Sequence, residues 1–116
     1  MGSRWGTVVI DTLDPSRLAR WWAEVLDLKV LREDAGEVHI GPREGTRLVF
    51  IQALGAKSEK NRLHLELYPD DQDAEVERLL DMGARRADVG QPANVSWVVL
   101  ADPEGNEFCV LAEREE

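Results

Sequence analysis

Apolar and polar residues alternate along this chain at two different periods, and the switches between them mark its elements. Trp5 to Asp11 is rich in β-branched residues and predicts a strand. Asp14 then offers an N-cap and Pro15 a first helical residue with its φ already set, after which Leu18, Trp22, Val25 and Leu26 recur at helical spacing. A helix from Pro15 to Leu26 is expected, with both Trp21 and Trp22 packed on a sheet. Lys29–Glu33 and Val38–Ile40 flank the turn Asp34-Ala35-Gly36, and Arg47–Ala53 follows the turn Pro42–Gly45, which predicts three more strands.

The same order then starts again. Leu54–Lys60, with one glycine and three charges, reads as a linker. Arg62–Tyr68 alternates, with Leu63, Leu65 and Leu67 on one face and His64, Glu66 and Tyr68 on the other. Asp71 or Asp73 caps a second helix with the apolar stripe Val76, Leu79 and Leu80, and Gly83 supplies a left-handed stop. Arg85–Val89, Trp97–Ala101 and Glu107–Ala112 read as strands. Pro42-Arg43-Glu44-Gly45 before the fourth strand is echoed by Asp102-Pro103-Glu104-Gly105 before the eighth. Two βαβββ modules in tandem explain the repetition, and each must cover an apolar sheet face.

Composition narrows the function. At 116 residues the chain can bury a core without a disulfide or a structural metal, and its single cysteine excludes an internal disulfide framework. Fourteen basic against 23 acidic residues give a net charge of −9, a field that repels nucleic acid and anionic membranes. With no N-terminal apolar run, a cytoplasmic protein is expected.

Three stretches carry a resemblance. They are Asp14-Pro15-Ser16-Arg17-Leu18-Ala19-Arg20-Trp21-Trp22-Ala23-Glu24-Val25-Leu26, Lys60-Asn61-Arg62-Leu63-His64-Leu65, and Trp97 through Asp102-Pro103-Glu104-Gly105-Asn106-Glu107-Phe108-Cys109-Val110. In this order, on a doubled βαβββ frame, they resemble the glyoxalase-like branch of the vicinal oxygen chelate superfamily. That superfamily includes glyoxalase I, bleomycin-resistance proteins, extradiol dioxygenases and fosfomycin-resistance enzymes. The resemblance implies an α+β fold in which two tandem βαβββ modules form an open concave β-barrel with helices packed outside. It further implies one glyoxalase-like domain over residues 1–116, with module one at about 4–53, a linker at about 54–60 and module two at about 61–113. A homodimer is also implied, with Trp5 a candidate interface residue.

Metal-using relatives hold a divalent ion with side chains from the first and fourth strands of each module. Matched by motif, those positions are Thr7, Val49 (or Phe50, one register step away), His64 and Cys109. A catalytic ion needs about three protein ligands plus an open position, and neither Val49 nor Phe50 can donate a lone pair. No metal cofactor is expected.

The chain is therefore expected to bind a small organic molecule, without a metal, against Thr7, Val9, Val49, Ile51, His64, Glu66, Trp97 and Cys109. The competing reading is a lyase or isomerase that moves a proton with His64 and Glu66, conceivably with a divalent metal. His64, on one strand face with Glu66, is either an acid–base group oriented by that carboxylate or a satisfied half-buried histidine. Cys109 is either a small apolar filler or a thiol activated by His64. Trp97 either walls the pocket or packs under a helix.

Overall fold

Strand β1 (Thr7–Thr12) feeds helix α1 (Pro15–Leu26), and β2 (Lys29–Asp34), β3 (Glu37–Gly41) and β4 (Arg47–Gln52) follow. The second half repeats the order with β5 (Leu65–Leu67), α2 (Gln72–Asp81), β6 (Arg85–Arg86), β7 (Val98–Ala101) and β8 (Glu107–Val110). The expected pair of βαβββ modules is present. This computed structural model describes residues 7–59, 61, 64–88, 90–91 and 95–112. The expectations placed on Trp5, Lys60, Arg62, Leu63, Val89 and residues 113–116 lie outside the described residues. The chain divides into two compact units, residues 1–56 and 57–116, and the division falls inside the expected linker.

In the first unit the strand order is β1-β4-β3-β2. β1 runs parallel to its neighbour β4, and the other two pairings are antiparallel. The crossover from β1 is therefore long enough to need a helix, which α1 supplies. Asp14 caps α1 by accepting from the Arg17 N–H at 3.1 Å, and Asp27 ends it in the left-handed conformation at φ 53°. Leu18, Ala19, Trp22 and Val25 are buried on α1, and Val38, Ile40, Leu48 and Phe50 on the sheet. Each fully buried large side chain contributes about 1.5–3 kcal/mol. Trp21 departs from the core expectation. It is only half-buried and meets Trp22 edge-on, with ring centroids 5.0 Å apart. Neighbouring helical residues point about 100° apart, so only one of the pair can face the sheet.

The second unit has the corresponding order β5-β8-β7-β6, with β5 parallel to β8. Asp71, rather than Asp73, caps α2 by accepting from the Ala74 N–H at 3.1 Å. Gln72 Nε2 donates to the carbonyls of Ser96 at 2.8 Å and Val110 at 3.0 Å, which ties the start of α2 to its sheet. Val76 and Leu79 are buried on α2, and Leu100, Phe108 and Val110 on the sheet. Strand β6 covers only Arg85 and Arg86, both exposed, consistent with a charged sheet edge. Among the described residues no helix is long and apolar enough to cross a membrane.

The β7–β8 connection is organised by a buried acid. Asp102, fully buried, accepts from the N–H groups of Glu104 and Asn106, both at 2.9 Å, and from Asn106 Nδ2 through both carboxylate oxygens. Gly105, at φ 88°, takes the left-handed conformation that closes the turn. Asp102→Ala would strand two backbone donors and the Asn106 amide. A loss of about 2–4 kcal/mol is expected in urea unfolding, with Asp102→Asn, which keeps one acceptor oxygen, costing less.

Candidate functional site

The register of β5 against β8 builds the site. Leu65 pairs with Phe108, Glu66 with Cys109 and Leu67 with Val110. Paired residues on parallel neighbours share a sheet face, so Leu65, Leu67, Phe108 and Val110 form the side that meets α2. Glu66 and Cys109 face the other way. On β7, Val99 pairs with Cys109 and extends this second face with an apolar neighbour.

His64, one residue before β5, joins the same group. One donor atom each from His64, Glu66 and Cys109 lies within 4.8 Å of the others. His64 Nε2 and Glu66 Oε2 are 3.3 Å apart. The His64 and Glu66 side chains are 41% and 47% exposed, whereas Cys109 is 8% exposed. Two reachable polar groups thus sit over a buried thiol.

Asn61 fixes the chain just ahead of this cluster. Its side-chain amide imitates a strand, with Nδ2 donating to the Glu107 carbonyl at 3.2 Å and Oδ1 accepting from the Glu107 N–H at 3.0 Å. The β5–β8 pairing is thereby extended toward residue 61 by a side chain. Glu107 is held as well, because Lys57 Nζ lies 2.9 Å from its carboxylate, which is 12% exposed. Burial alone would raise the Glu107 pKa. The Lys57 hydrogen bond and charge, with the backbone N–H groups of Glu107 and Asn61, outweigh burial and hold it below the ordinary carboxylate value.

The other residues named from the sequence fall on the first sheet or at a strand entrance. Val9 pairs with Val49, and Thr7 and Asp11 pair with Arg47 and Ile51, so Thr7, Val9, Val49 and Ile51 share the face turned away from α1. Trp97, immediately before β7, is 38% exposed, so it is not a core residue. A polar pair on β3 was missed. His39 pairs with Val49 and Glu37 with Ile51, which places both on that same face, and the two side chains are hydrogen-bonded to each other. The sequence held the signal, since each of its two histidines stands two residues from a glutamate on an alternating strand. A depression lined by Tyr68, Pro69, Asp70, Asp71, Ala74, Glu75 and Arg78 lies at the start of α2, where Glu75 and Arg78 are paired with each other.

Residues 7–111 match the glyoxalase-like domain family. The chain belongs to this family. Among solved structures the glyoxalase-like chain is similar to TnmS3, titled an antibiotic binding protein from Streptomyces sp. CB03234, at 19% identity and a TM-score of 0.66 over 97% of both chains. It is similar also to the bleomycin resistance determinant encoded on transposon Tn5, at 18% identity and a TM-score of 0.63 over 97% of this chain and 100% of that one. The glyoxalase I of Leishmania major matches at 18% identity and a TM-score of 0.68 over 97% and 88%. No curated protein sequence matches the chain.

The residues present do not fit the ion of the metal-using relatives. Of the four implied positions, Thr7 and Val49 hold a neutral hydroxyl and an aliphatic side chain. Phe50, one register step away, is buried on the helix side and donates nothing. Charge compensation for a divalent cation is missing from that half of the set.

Because the Glu107 pKa is lower folded than unfolded, its contribution is fully present above about pH 5 and is lost as pH falls through the folded value. Wild type is expected to exceed Glu107→Gln by about 1–2 kcal/mol at pH 7 in urea unfolding, the difference shrinking below about pH 4.

Proposed function

We propose that this glyoxalase-like protein binds a small organic molecule against the sheet face formed by His64, Glu66, Val99 and Cys109. The convergence of an imidazole, a carboxylate and a thiol within 4.8 Å on one sheet face, beside the apolar Val99, carries the reading. A neutral imidazole both donates and accepts a hydrogen bond, and the carboxylate accepts, so the pair can orient a hydroxyl, amide or amine on the ligand. The exposed Trp97 indole offers a plate for a planar group and one N–H donor. The divalent ion of the metal-using relatives has no part in this reading. The antibiotic-binding and bleomycin-resistance titles of two structural neighbours support binding.

The His64–Glu66 separation of 3.3 Å favours proton transfer as the second reading, with His64 as base and Glu66 orienting it. One series of measurements separates the two. In an NMR screen of planar, polar small molecules, binders are expected to shift the amides of residues 64–67, 97–99 and 107–110. His64→Ala should weaken such a binder about fivefold to tenfold, the worth of one hydrogen bond. Unchanged affinity, or shifts confined to other elements, would contradict the assignment. Turnover that disappears in His64→Ala while affinity stays intact would favour the enzyme.

A further inference from the structure

The face of the first sheet turned from α1 is ordered in two cross-strand rows. Register places Arg32, His39, Val49 and Val9 in one row, running from β2 through β3 and β4 to β1, and Asp34, Glu37, Ile51 and Asp11 in the next. Arg32 is paired with Asp34 and His39 with Glu37, so the β2–β3 half is a polar band. Val9, Val49 and Ile51 make most of the β4–β1 half apolar. One group of the polar band is incomplete. The His39 side chain is only 13% exposed, and its Nδ1 is fully buried with no hydrogen-bond partner among the described residues. Such an atom carries a desolvation cost that a hydrogen bond from a ligand would recover.

The chemistry of the pair sets what that ligand must offer. An ionised carboxylate only accepts, so Nε2 supplies the proton of the His39–Glu37 hydrogen bond, and in the neutral ring Nδ1 is then a lone-pair acceptor. It calls for a donor beside a flat hydrocarbon surface. A phenolic hydroxyl on its ring supplies both. We propose that this face is a second small-molecule site, selective for a flat apolar molecule bearing a phenol-type hydroxyl that donates to His39 Nδ1 while the ring lies along Val49 and Val9. Glu37 is a positioning residue that fixes the tautomer. Nδ1 is covered, so the ligand reaches it only when a neighbour moves, and Arg32, long and exposed, is the cross-strand neighbour that can. Neither His39 nor Glu37 stands at an implied metal position. The site lies in the other module from His64, Glu66 and Cys109, so the inference goes beyond the function proposed above.

The test compares 4-ethylphenol with ethylbenzene by NMR at about pH 8, where an ordinary imidazole is neutral. 4-Ethylphenol should move the methyl signals of Val9, Val49 and Ile51 together with the His39 Nδ1 resonance, and should bind about fivefold to tenfold tighter than ethylbenzene. His39→Phe keeps a ring and removes both nitrogens, so the two molecules should then bind alike, and Glu37→Gln should narrow the preference. A hydroxyl preference that persists in His39→Phe would overturn the site. Circular dichroism checks that each variant folds. If His39→Phe does not, the wild-type side-chain nitrogen shifts decide, because a proton found on Nδ1 and not on Nε2 also overturns the assignment. Shifts confined to residues 64–67, 97–99 and 107–110 would remove this second site and leave the function proposed above standing. Shifts at the first-sheet methyls alone would support the second site and count against the first.

Discussion

The parallel pairing of β5 with β8 is the constraint on which the account depends. These strands are separated by α2, β6 and β7, yet their register sets Glu66 opposite Cys109 and brings His64 alongside. A slip of one residue would turn Glu66 toward Phe108 or Val110 and alter the face each side chain serves. Several interactions oppose such a slip. Asn61 clamps both backbone groups of Glu107, Gln72 reaches the Val110 carbonyl from the first turn of α2, and Asp102 locks the turn that delivers β8. The polar groups of the site are positioned by neighbours that take no part in binding.

The first module solves the same topological problem with different chemistry. There β1 pairs in parallel with β4, and the face turned from the helix holds Thr7, Val9, Val49 and Ile51. Its polar pair, Glu37 and His39, lies on β3 rather than on the first strand, and the two side chains are hydrogen-bonded through His39 Nε2. A doubled fold has therefore kept its backbone plan while the two sheets diverged in the groups they present. The cysteine is found only in the second module.

Local signals in the sequence carried most of the architecture. Asp14-Pro15 and the stripe through Trp22 and Val25 located α1, because caps and helical periodicity are written in adjacent residues. The alternation from residue 62 to 68 separated His64 and Glu66 from the leucines for the same reason. What depended on pairing between distant strands was less legible. The register makes Glu66 the cross-strand partner of Cys109, a pairing between distant segments that no local pattern in the sequence shows. Trp21 was placed in the core because a stripe count ignores the angle between neighbours. Glu37 and His39 were overlooked although they repeat the spacing of His64 and Glu66.

The most direct measurement is the set of cross-strand nuclear Overhauser effects in the uniformly labelled, ligand-free protein. Contacts linking Glu66 with Cys109 and Leu67 with Val110 are the result this account requires. Effects that place Glu66 opposite Phe108 or Val110 would show a shifted register, and the three-group cluster would not exist.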